Sequence, residues 1–81
     1  MKIYNYRGRK NLSGERIREA RLKLRLSQSE LAEQMRAEEI HLERDSISRI
    51  EAGTRFIPDF EIPIFSKVLN VPVEWLLGMQ N

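Results

Sequence analysis

Two runs decide how this chain folds: Ser27-Gln28-Ser29-Glu30-Leu31-Ala32-Glu33-Gln34-Met35 and Asp45-Ser46-Ile47-Ser48-Arg49-Ile50-Glu51-Ala52-Gly53. The first opens with a capping-box pattern, in which Ser27 caps a helix and Glu30 reaches back to the N–H of the cap residue. Leu31, Ala32 and Met35 then point inward at helical spacing. In the second run Ile47 and Ile50 form the buried stripe. Gly53 lies just past the end, where a left-handed residue commonly closes a helix. Ser48 and Arg49 fall off that stripe. Two short helices in succession, the second polar and basic on its outer side, is the pattern of a helix-turn-helix unit.

Working outward, a preceding helix starts near Ser13, a suitable N-cap, with Glu15 at the positive end of the helix dipole. Ile17, Ala20 and Leu24 recur on one face, and Leu22 and Leu26 widen it. Arg16, Arg18, Lys23 and Arg25 then face water or phosphate. Residues 36–44 read two ways, as a longer second helix or as a loop, with Ile40 and Leu42 anchoring them in either case. Thr54 to Pro58 is a connector. Asp59 suits the cap of a fourth helix with Ile62, Phe65, Val68 and Leu69 inward. Pro63 falls in its first turn, where a missing N–H is least costly. Asn70-Val71-Pro72 ends it, and Val73 to Leu77 is a short fifth helix closed by Gly78.

Residues 1–11 lack helical periodicity and read as a flexible arm or a short strand. Tyr4 and Tyr6 are candidates to pack on the domain or on a second copy. The expectation is an all-α, compact five-helix domain over residues 12–78, a basic arm over 1–11 and a short tail over 79–81.

The chain has 81 residues, enough for one domain with a small core and no room for a separate ligand-sensing domain. It has no cysteine, which excludes disulfides, thiolate nucleophiles and Cys-based zinc sites. Its single histidine, His41, has no partner for a metal site and reads as a surface residue of the long turn. No segment has the apolar run of a signal peptide or a bilayer span, so a soluble cytoplasmic protein is expected, with no membrane partner and no cofactor. The net charge of +2 hides an asymmetry. Residues 1–27 carry nine Lys and Arg against Glu15 and Glu19, whereas residues 28–81 carry five basic and ten acidic groups. The basic part suggests a polyanion partner.

The runs ERIREARLKLRLSQSELAEQM, SISRIEAGTR and IPDFEIPIFSKVLNVPVEWLLG resemble the Cro/phage-repressor (XRE-type) helix-turn-helix family over about residues 12–78. The resemblance implies a domain that binds duplex DNA, regulates transcription by repression and works as a homodimer on paired half-sites. Part of the apolar end Trp75, Leu76, Leu77 would then be free for the dimer contact. It places Arg44, Asp45, Ser48 and Arg49 near base edges in the major groove. It places Gln28, Thr54 and Arg55 on the sugar-phosphate backbone, and makes Arg21 and Glu51 a structural ion pair between the first and third helices. Chemistry agrees for arginine, whose planar fork fits O6 and N7 of guanine. Asp45 keeps two readings, acceptor from a cytosine amino group or cap of the third helix. Arg7, Arg9 and Lys10 are candidates for arm contacts to the minor groove or phosphates.

Two departures from the family stand out. The link from Met35 to Ile47 is about five residues longer than the usual tight turn. Arg25 stands where a glycine usually ends the first helix, and a left-handed arginine there costs about 1 kcal/mol. The competing function is a protein-interaction module, such as an antitoxin or adaptor, with the acidic run Glu38 to Glu43 as its contact surface. An enzyme is not expected, because one His, no Cys and no phosphate-cradling glycine loop leave little to build a site from.

Overall fold

A computed structural model describes residues 5–79; Met1 to Tyr4, Gln80 and Asn81 lie outside it, and with them the start of the expected arm, Tyr4 included, and the end of the tail. The described residues form α1 (Gly14–Lys23), α2 (Gln28–Ala37), α3 (Arg44–Ala52), a single 3₁₀ turn (Asp59–Glu61), α4 (Ile62–Leu69) and α5 (Val73–Leu76). The only extended pairing among them is an isolated bridge between Tyr6 and Arg9.

All five helices stop in the same way. A left-handed residue follows the last turn, and its N–H and that of the next residue return to carbonyls inside the helix. The left-handed residues are Arg25, Glu39, Gly53, Asn70 and Gly78. After α1, Arg25 N–H donates to Leu22 O at 3.0 Å and Leu26 N–H to Arg21 O at 3.1 Å. After α2, Glu39 N–H donates to Arg36 O at 2.9 Å and Ile40 N–H to Met35 O at 3.0 Å. Arg25, in the place of the family's glycine, does adopt the left-handed conformation, with φ at 58°. Glu39, at φ 67°, decides the ambiguous stretch: α2 ends at Ala37 and residues 38–43 form a loop.

The core gathers Ile17 and Ala20 of α1, Leu31, Ala32 and Met35 of α2, Ile47 and Ile50 of α3, Phe65 and Leu69 of α4, and Leu76 of α5. Leu42 from the loop joins them, with Ile40 packed alongside. The helices α1 and α2 pack on α3, and α4 closes the bundle against α1 and α2.

The expected inward face of α1 needs correction. Leu22 and Leu24 are 49 % and 44 % exposed, and the third inward position belongs to Arg21, which is 7 % exposed. The helix ends at Lys23, so Leu24 is already in the closing turn and only Leu26 swings back to half-burial. Arg21 can occupy the core face because its charge has a partner there.

The caps differ in one further place. Asp59 opens the 3₁₀ turn rather than capping α4, which begins three residues later with Pro63 in its first turn. Ser13 does sit at the cap position of α1, but its hydroxyl makes no capping bond.

Candidate nucleic-acid interface

The entry to α2 is built as its sequence suggests. Ser27 Oγ accepts from Glu30 N–H at 3.0 Å, and Glu30 Oε1 accepts from Ser27 N–H at 2.8 Å. The Ser27 N–H donated to the carboxylate, and after it the nearby Ser27 hydroxyl, hold the Glu30 carboxyl below the usual carboxylate range. The backbone N–H groups of Gln28 and Ser29 remain at the helix N-terminus, a place suited to an anion.

The helix α3 is two-faced. Ile47, Ile50 and Glu51 are buried. Arg44, Asp45 and Arg49 are exposed and Ser48 is half-buried. Residues three and four apart share a helix face, so Arg44, Asp45, Ser48 and Arg49 make one outward surface. Arg44 Nη1 lies 3.2 Å from Asp45 Oδ1, so the two lean together in solvent. The capping reading of Asp45 does not hold: α3 starts one residue earlier, at Arg44, with Glu43 at the cap position and no side-chain capping bond.

What fixes α3 from behind is a buried ion pair. Arg21 Nε and Nη2 donate to Glu51 Oε2 and Oε1 at 2.7 and 3.0 Å, a bidentate geometry. Arg21 Nη1 also donates to Leu26 O at 2.8 Å. The hydrogen bonds to Glu51 raise the Arg21 pKa against the opposing effect of burial. Gln28 Nε2 donates to the same Glu51 Oε1 at 3.1 Å, so the carboxylate ties α1, α2 and α3 together. The sequence pattern carries no signal for this third partner, because Gln28 and Glu51 lie 23 residues apart.

Beyond α3, Thr54 is exposed and its N–H and hydroxyl donate to Arg49 O at 2.9 and 3.3 Å. Arg55 is half-buried, with Nη1 enclosed and unpaired among the described residues. The buried Glu61 carboxyl is pushed up by desolvation, and the Arg55 charge partly offsets that push.

The N-terminal segment is arranged differently from a free arm. Tyr6 and Arg9 exchange backbone hydrogen bonds at 2.7 and 3.0 Å around Arg7 and Gly8. Both central residues have positive φ, 53° and 80°, the two-residue turn that suits a hairpin. Arg7 stacks over the Tyr6 ring and stays exposed, while Lys10 lies 5.7 Å from the centre of the Phe56 ring. Arg9 does not extend outward: its guanidinium donates to Glu51 O at 2.9 Å and Ala52 O at 3.3 Å, at the carboxyl end of α3.

His41 is exposed. Among the described residues no group of His, Asp and Glu could hold a metal ion, and no helix is long and apolar enough to cross a membrane.

Five short helices, the second and third packed so that the third shows one polar and basic face, match a known architecture. No curated protein matches the chain. A family model described as Helix-turn-helix matches residues 17–76, from within α1 to the end of α5 and most of the chain. The chain therefore belongs to the XRE-type (Cro/phage-repressor) helix-turn-helix family of DNA-binding regulators.

Proposed function

We propose that this chain is a cytoplasmic transcriptional repressor that reads duplex DNA by laying α3 in the major groove. The observation that carries the reading is the division of α3: its apolar side is buried, and Arg44, Asp45, Ser48 and Arg49 share the outward side. In this role Arg49 and Arg44 donate to guanine, Ser48 donates or accepts, and Asp45 accepts from a cytosine amino group. Because Arg44 and Asp45 already touch each other, base contact by either one separates or shares that pair.

Phosphate contacts come from Gln28, Thr54 and Arg55, which flank α3 on both sides. Gln28 keeps one amide N–H and its own backbone N–H for the phosphate while its other N–H holds Glu51. Arg7 and Lys10 supply arm contacts. Two copies bind as a homodimer on half-sites one helical turn apart, roughly 34–36 Å between centres.

Selection of bound sequences from a random duplex pool tests this reading. A two-fold symmetric consensus is expected. Arg49→Ala should relax the choice at one base position, at a cost of about 1–3 kcal/mol in discrimination. Gln28→Ala should weaken binding on every sequence alike. Equal, sequence-independent losses for both would refute the division of roles. Absence of any duplex binding at low salt would favour the protein-interaction module instead.

A further inference from the structure

A helix leaves its last carbonyls to water or to a partner. At the end of α3 three consecutive residues from the far end of the chain donate to these carbonyls, Ile50 O also accepting from Gly53 N–H at 3.1 Å. Asn11 Nδ2 donates to Ile50 O at 2.9 Å, Arg9 to Glu51 O at 2.9 Å and Ala52 O at 3.3 Å, and Lys10 N–H to Gly53 O at 2.7 Å. Asn11 Nδ2 also reaches Arg55 O at 2.8 Å, and its Oδ1 accepts from Gly14 N–H at 2.8 Å. One asparagine thus joins the start of α1, the end of α3 and the connector after it. The Arg9 charge sits at the negative end of the α3 dipole. Two glycines make room: a side chain on Gly14 would collide with Ile50 O, and one on Gly53 with the Arg9 guanidinium.

The other end of α3 is held by the apolar packing of Leu42 and Ile47 and not by a side-chain cap. It follows a six-residue loop, 38–43, in place of a tight turn, and Glu43 supplies no capping bond. The polar ties that orient α3 are therefore gathered at its carboxyl end, in the Glu51 ion pair and residues 9–11.

We propose that Arg9, Lys10 and Asn11 form a positioning clip that fixes the angle of α3, so that Arg9 and Asn11 govern which DNA sequence is chosen without touching DNA. The functional half rests on the DNA-binding reading above; the mechanical half does not.

The test uses the full chain with Arg9→Ala, Arg9→Lys and Asn11→Ala. Backbone amide exchange is measured first. Exchange of the Gly53 and Thr54 amides should speed up at least tenfold in Arg9→Ala and Asn11→Ala, with α2 and α4 amides unchanged; unchanged exchange at α3 overturns the clip. Should Asn11→Ala not fold, Arg9→Ala decides this arm. Affinity for a selected duplex and for random duplex is then measured across salt concentrations.

The preference for the selected duplex should fall at least fivefold in Arg9→Ala, with the salt slope unchanged. Arg9→Lys, which keeps the charge but not the planar fork, should restore the preference only in part. General destabilisation would weaken both duplexes equally and leave the preference intact, which overturns the proposal. A slope reduced by roughly 0.9, with equal loss on both duplexes, makes Arg9 a phosphate contact and also overturns it. If the parent chain binds no duplex, the DNA reading fails and amide exchange alone judges the clip.

Discussion

Replacing Glu51 by alanine removes the acceptor of three hydrogen bonds, two from Arg21 at 2.7 and 3.0 Å and one from Gln28 at 3.1 Å. The Arg21 side chain, 9 % exposed, is then left with Leu26 O as its only partner among the described residues. Stranding one partner of a buried pair costs about 3–5 kcal/mol. The Gln28 bond adds at most about 1 kcal/mol, since that side chain is half-exposed and can turn to water. A domain of this size has roughly 4–12 kcal/mol of total stability. A loss of about 4 kcal/mol therefore removes a large part of it and lowers Tm by roughly 15–30 °C.

Urea unfolding followed by circular dichroism measures the change as a shift in midpoint at constant slope. The double variant Arg21→Met, Glu51→Leu removes both charges and should recover at least half of the loss, because a buried ion pair contributes little over apolar packing. A single-variant loss below about 1 kcal/mol would refute the reasoning. So would a double variant no more stable than Glu51→Ala.

Three further outcomes follow from the structure. Arg25→Gly and Glu39→Gly relieve left-handed residues and should each stabilise the domain by about 0.5–1 kcal/mol in the same urea assay, the gain being reduced by the greater freedom of glycine when unfolded. Gly14→Ala should destabilise by roughly 1–3 kcal/mol, because the new methyl meets the backbone carbonyl of Ile50; a neutral effect would contradict the close packing of α1 on α3. The folded chain holds a proton on Glu61 more tightly than the unfolded chain, whose value is near 4.5, so the contribution of the neutral carboxyl is full below that pH and is lost as pH rises through the folded value. Glu61→Gln should thus stabilise at pH 7 and lose that advantage near pH 4, and an equal urea-midpoint difference at both pH values would count against the buried-carboxyl account.

Where residues act within a turn or two of each other, the chain states its structure openly. The Ser27–Glu30 capping box, the Ile47–Ile50 stripe and the stop at Asn70 all depend on side chains and dihedrals a few positions apart. Such local preferences set where helices start, stop and show their apolar face. The Arg21–Glu51 pair came only through family resemblance, since its partners are 30 residues apart.

Tertiary structure alone decided the rest. It settled residues 38–43 as a loop, through a glutamate in a conformation that sequence rules assign to glycine. It left Leu24 in solvent and drew Arg21 into the core, because a guanidinium with a carboxylate waiting there is held better than a leucine beyond the last turn. It turned Arg9 from an arm residue into a partner of carbonyls 42 and 43 residues away. The carbonyls that Arg9 and Asn11 bind belong to the backbone, which every residue carries alike, so no side-chain pattern could have announced them.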